Sequence, residues 1–141
     1  MSVSSENALS CVGADGASYE FLWRVTKDPF EDKWIFRVAT EANVNTGRSF
    51  ELTVVAADSD PNTVRIVMMH HYDQDEYRAK GIPDALLPVI KRELHMSVES
   101  SPRQGATTDV YRTDAATAVW KRLVRNGLAA YAADRDVYVL R

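Results

Sequence analysis

The chain has 141 residues, with 17 lysines and arginines against 20 aspartates and glutamates and a formal net charge of −3. This length is most simply one domain, and the mixed charge does not favour nucleic-acid binding through a broadly basic surface. The single cysteine, Cys11, excludes an intramolecular disulfide, and without a signal peptide or a long apolar span we expect a cytoplasmic protein with no membrane contact.

The N-terminal half predicts a leader followed by strands. Residues 1–17 have few large apolar side chains, so we expect a flexible leader before a single domain at 18–141. Apolar and polar residues then alternate in four segments, as is typical of half-buried strands. These segments are Tyr19 to Val25, Trp34 to Val38, Phe50 to Val54 and Val64 to Met68. The connections between them are short, which predicts an antiparallel meander.

A helix follows Gly81, because Leu86, Ile90 and Leu94 recur at helical spacing. Pro88 makes the start of this helix the open question. A start capped by Asp84 means that Pro88 removes only the first helical hydrogen bond, whereas an earlier start puts the proline in the interior. We favour the later start or a kinked helix.

The last third of the chain predicts a strand, a helix and a hairpin. A fifth strand at Met96 to Val98 is expected to pair near the fourth. A second helix, capped by Thr113 or Asp114, runs to Asn126, because Gly127 suits the position after a helix end. Two apolar segments around an Ala-Asp-Arg turn then form a hairpin. The predicted fold class is therefore α+β, with a mixed, mostly antiparallel sheet, two main helices and a C-terminal hairpin.

The turn before the first helix carries the strongest functional signal. Arg78, Lys80 and Gly81 lie between an apolar strand and a helix. Such a turn combines backbone amides, the positive end of a helix dipole and two cations, and phosphate is the ligand that it favours. The alternative is an ordinary solvated turn in which Gly81 only supplies a positive φ.

This turn resembles the pyrophosphate loop of the GNAT N-acetyltransferases, whose Arg/Gln-x-x-Gly-x-Gly/Ala pattern is met by Arg78 and Gly81 and departs at Pro83. The order of elements from Thr63 to Leu140 is similar to the C-terminal half of that family's domain. Two helices that the family usually has between its first two strands are missing from the prediction. The resemblance implies acetyl-CoA or CoA as cofactor, bound by Met68, Met69, His70, Arg78, Ala79, Lys80, Gly81, Ile82 and Pro83.

Acyl transfer needs a base for the amine and an acid for the leaving thiolate. The family often takes the acid from a tyrosine in the helix after the next strand, and Trp120 stands in that place here. The catalytic candidates that remain are His70, His71 and Tyr111, with Tyr77 as a further hydroxyl. Adjacent histidines on a strand point to opposite faces, so His70 and His71 cannot share a metal, and we expect no metal site.

The resemblance thus implies a small acyl-CoA-binding protein with N-acetyltransferase activity on an amine that the sequence does not identify. The alternative is a non-catalytic protein-interaction module on the same scaffold, using the face left without helices. Uncovered sheet edges also make a homodimer an expectation. A group of cations near the predicted helix ends forms either a solvated face, which we favour, or a surface for an acidic partner. These cations are Lys91, Arg92, Lys121, Arg122 and Arg125.

Overall fold

The computed structural model describes residues 7–57, 60–103 and 112–141. In chain order these residues form β1 (Ala8–Val12), β2 (Ser18–Lys27), β3 (Lys33–Ala39), β4 (Phe50–Ala57), β5 (Asp60–His70), α1 (Ile82–Leu94), β6 (Ser97–Glu99), α2 (Asp114–Arg125), β7 (Ala129–Ala132) and β8 (Val137–Leu140). A three-residue 3-10 helix, Glu41–Asn43, follows β3. The strands form an eight-stranded sheet in the order β1-β2-β3-β4-β5-β6-β8-β7.

The predicted α+β class is confirmed, as are the two main helices and the closing hairpin. β1 with β2, β2 with β3, β6 with β8, and β7 with β8 are antiparallel pairs. β5 and β6 run parallel, which requires the crossover that α1 provides. Within residues 7–57 the structure contains no α-helix, in agreement with the sequence pattern. Thr113 caps α2 by accepting a hydrogen bond from the Ala116 amide at 3.1 Å.

The predicted flexible leader is wrong at residues 8–12, which form β1. This strand pairs with β2 from Ala8 opposite Leu22 to Val12 opposite Ser18. Leu9 and Cys11 are buried, while the residues between and beside them are exposed. Composition alone did not predict this strand, because two buried side chains on one face and a neighbouring strand are enough to order five residues. Residues 1–6 lie outside the described part of the chain.

Of the two possibilities predicted for the first helix, a later start or a kink, the later start is wrong, since α1 begins at Ile82 and contains Pro88 in its interior. The Ala85 amide donates to the Gly81 carbonyl at 3.2 Å and closes the first turn. Four fully buried side chains, Ile82, Leu86, Leu87 and Ile90, lie on this helix. Each contributes about 1.5–3 kcal/mol by burial, and the four together exceed the roughly 3 kcal/mol that an interior proline costs.

By its internal contacts the chain divides into two compact units. The described part of the first unit comprises residues 7–53 and 68–86, and its buried side chains include Phe21, Trp23, Phe36 and Leu52. The second comprises 54–57, 60–67, 87–103 and 112–141, with Val64, Val98, Trp120, Leu123 and Val137 in its core. A single domain over 18–141 stays a prediction.

Candidate functional site

The turn from Arg78 to Gly81 is held in place by the end of β1. Ala79 and Gly81 both have positive φ, at 56° and 76°. The Ala14 amide donates to the Ala79 carbonyl at 2.9 Å, which anchors the turn from outside. A Cβ on Gly81 would lie 2.1 Å from the Val12 carbonyl oxygen, so only glycine allows this approach of two backbones. The sequence pattern predicted the positive φ of Gly81 and did not predict its close contact with Val12.

The two cations of the turn have partners in the structure. Arg78 forms ion pairs with Asp75 at 3.1 Å and Asp73 at 3.4 Å, and all three side chains are exposed to solvent. The Lys80 ammonium lies 4.5 Å from the centroid of the Tyr19 ring. Exposed ion pairs contribute about 0–1 kcal/mol, so a more highly charged anion could take the place of either aspartate.

Pro83 is the second residue of α1, and Ile82 before it is fully buried. Proline fits the first turn of a helix, where amide hydrogens have no partner inside the helix. The departure from the family pattern at Pro83 therefore removes one amide donor from the helix start without disturbing the helix. The amides of Ile82 and Asp84 belong to the same first turn.

The end of β5 carries the other predicted cofactor-binding residues. Met68 and Met69 are half-buried and His70 is exposed. β6 pairs with β5 only over Thr63–Arg65, while β5 itself continues to His70. Just beyond the paired residues, the Ser101 hydroxyl donates to the Ile66 carbonyl at 2.6 Å. The backbone of Met68–His70 thus lies past the pairing with β6.

Both candidate histidines use a ring nitrogen in local hydrogen bonds. The Tyr72 amide donates to His70 Nδ1 at 2.6 Å, and the Asp73 amide donates to His71 Nδ1 at 3.0 Å. A ring nitrogen that accepts carries no proton, so these bonds assign the neutral ring proton to Nε2. Either histidine would have to give up its backbone bond before Nδ1 could accept a proton from an amine.

The tyrosine and tryptophan candidates are placed differently. Tyr77 is buried, and its hydroxyl donates to the Arg48 carbonyl at 2.7 Å, so the fold already uses this group. Trp120 is fully buried and stacks on Tyr138 with ring centroids 6.0 Å apart, so it serves the packing of the core. Tyr111 lies outside the described residues.

One tyrosine at this strand end was missed by sequence reasoning. The centroid of the Tyr72 ring lies 4.4 Å from the centroid of the His70 ring, and the backbone of Tyr72 has a φ of 55°. Desolvation, together with the charge and hydrogen bond of the Glu51 carboxylate, raises the pKa of Tyr72. Its hydroxyl therefore stays protonated at neutral pH. No local sequence signal indicated this group, because its environment depends on Glu51 of β4, which is distant in the chain.

These elements define an α+β protein with a basic turn at a helix start. Comparisons with protein-family models, with curated proteins and with solved structures find no match to the chain. Among the described residues, no group of three or more His, Cys, Asp or Glu side chains could hold a metal ion. In the same ranges, neither helix is long and apolar enough to cross a membrane.

Proposed function

We propose that this protein binds an acyl-CoA, with the diphosphate at the turn from Arg78 to Pro83 and the pantetheine arm along Met68–His70. The observation that carries the proposal is the course of the chain after β5. β5 continues beyond its short parallel pairing with β6, and the turn that follows places two cations just before the start of α1. This order of elements and this turn are the features that resemble the GNAT N-acetyltransferases.

The charges of the turn support a diphosphate as the ligand. Arg78 pairs with two exposed carboxylates, those of Asp73 and Asp75, and a bound diphosphate would replace them. Hydrogen bonds to charged groups are worth about 1.5–3 kcal/mol each. Each aspartate pair contributes no more than about 1 kcal/mol. The Val12 carbonyl occupies one side of Gly81, so the phosphates would approach from the other side.

Acyl transfer is the reaction that this cofactor would serve, with an amine as acceptor. With Trp120 buried in place of the family's tyrosine, we expect slow transfer, or none, to simple amines. We propose Tyr72, whose ring neighbours that of His70, as the acid for the leaving thiolate; its protonated hydroxyl would exchange its hydrogen bond with Glu51 for one to the sulfur. Tyr72→Phe should then lower the transfer rate and leave acetyl-CoA affinity unchanged.

Thermal denaturation with acetyl-CoA tests the binding proposal. A ligand at a hundred times its dissociation constant adds about 2.7 kcal/mol to the free energy of unfolding, which raises the melting temperature. Changing Arg78 and Lys80 to alanine should weaken binding at least tenfold, by roughly the energy of one charged hydrogen bond. The matched control changes Arg24 and Lys33, two cations of the β2–β3 hairpin, and should leave affinity unchanged.

Two further results bear on the same site. Binding should weaken as salt rises, because the proposed contacts are ionic and exposed. Pro83→Gly restores an amide hydrogen and should tighten binding. If millimolar acetyl-CoA leaves the melting temperature unchanged, the acyl-CoA proposal fails and the alternative of a non-catalytic interaction module is favoured.

A further inference from the structure

A groove on the second unit combines an apolar floor with a cationic rim. Its volume is about 390 Å³, within the range of natural ligand sites. It is lined by Pro88, Lys91 and Arg92 from α1 and by Leu128, Leu140 and Arg141 from the chain around the C-terminal hairpin. None of these residues belongs to the turn that we propose for acyl-CoA.

Leu128 gives the groove a fixed apolar surface. The Gly127 amide donates to the Val124 carbonyl at 3.0 Å and the Leu128 amide donates to the Leu123 carbonyl at 2.9 Å, the two bonds of a Schellman motif. The Leu128 carbonyl also accepts from the Arg141 amide at 2.8 Å. Although its backbone is held on both sides, the residue is 43% exposed. A rigidly placed, exposed leucine can accept an apolar partner with little loss of conformational entropy.

Among the residues that the structure describes, the cations of the rim have no acidic partner. No ion pair or side-chain hydrogen bond joins Lys91, Arg92 or Arg141 to another residue in the described ranges. By contrast, Arg112 and Arg135 of the same unit pair with carboxylates. The helix dipole accounts for cations in the last turn of α1 and does not account for Arg141, which lies outside any helix.

We infer that this groove binds an extended acidic segment of a partner protein, with an apolar side chain on the Leu128 floor and carboxylates at Lys91, Arg92 and Arg141. Charge complementarity selects the acidic partner, because three cations surround one apolar surface. Nucleic acid fits less well, since the lining offers no aromatic ring on which a base could stack. The inference is independent of the proposed acyl-CoA site.

Selection from a random dodecapeptide library displayed on phage tests this inference with the full chain as bait. The expected consensus has Asp or Glu on both sides of a large apolar residue. A synthetic peptide of that consensus, labelled with fluorescein, should bind more weakly as salt rises. Arg92→Glu should weaken its binding about fivefold to tenfold, because an attraction becomes a repulsion. Leu128→Ser should weaken it by a similar factor.

Matched variants separate the groove from general charge and hydrophobic effects. Arg24→Glu changes another exposed arginine, on β2, and Phe30→Ser changes a side chain that is 94% exposed. Both should bind the peptide as the unmodified protein does. Selection of a basic or uncharged consensus, or of none, overturns the inference. So does equal loss in Arg92→Glu and Arg24→Glu, displacement of the peptide by acetyl-CoA, or preferred binding of a labelled oligonucleotide at the same residues.

Discussion

The contact between β1 and the basic turn yields the sharpest stability prediction. In Gly81→Ala the new Cβ would lie 2.1 Å from the Val12 carbonyl oxygen, where ordinary contacts begin at 3.4 Å. The end of β1 must therefore move by about 1 Å or detach. Either movement strains the hydrogen bond from the Ala14 amide to the Ala79 carbonyl, now 2.9 Å long.

The magnitude follows from two contributions. Alanine at a φ of 76° costs about 1–2 kcal/mol wherever it occurs. Loss of the anchoring hydrogen bond and of part of the β1 packing adds about 1–2 kcal/mol more. Gly47→Ala is the matched control, because Gly47 has a φ of 84° and nothing within 4 Å of the added Cβ. We expect about 2–4 kcal/mol for Gly81→Ala and about half of that for Gly47→Ala.

Urea denaturation followed by tryptophan fluorescence measures both values. Hydrogen exchange gives a second observable, since the amides of β1 should lose protection in Gly81→Ala and keep it in Gly47→Ala. Deleting residues 1–12 should cost at least as much stability as Gly81→Ala, because Leu9 and Cys11 are buried. Equal losses in the two glycine variants would show that β1 does not press on the turn.

Three further predictions concern buried groups. Burial raises the pKa of Cys11 from 9.0 to about 11, so native thiol should react with maleimide at pH 8 far more slowly than unfolded thiol. The free energy of unfolding should fall as the pH rises from 9.0 to about 11, because the thiol ionises in the unfolded chain before it ionises in the folded one. Cys11→Val should remove this decline. Glu99 is buried and forms ion pairs with Arg65 at 2.7 Å and with Arg135 at 3.1 Å. In urea denaturation, Arg65→Met should lower the free energy of unfolding by about 3 kcal/mol and Arg135→Met by about 1 kcal/mol. The difference arises because Arg65 is the less exposed partner. Trp120→Ala should cost about 3–5 kcal/mol, and a near-native melting temperature would contradict its burial.

Local patterns in the sequence predicted most of the elements. Alternation in β2 placed Phe21 and Trp23 on one face, and both are buried. The end of α2 followed from Gly127, which adopts a φ of 76°. These predictions succeeded because they depend on side-chain periodicity and on backbone preferences within a few residues. The basic turn was located for the same reason, since a glycine and two cations before an apolar helix are visible in the chain.

Only the tertiary structure decided which distant segments meet. β1 is a strand because β2 pairs with it and buries Leu9 and Cys11, although its own composition is that of a loop. α1 starts at Ile82 despite Pro88, because burial of its apolar side chains together exceeds the cost of an interior proline. The sequence by itself determined where each residue can form a helix, strand or turn. Contacts between residues far apart in the chain determined which of these local preferences prevailed, because several burials together are worth more than the local preference that they override.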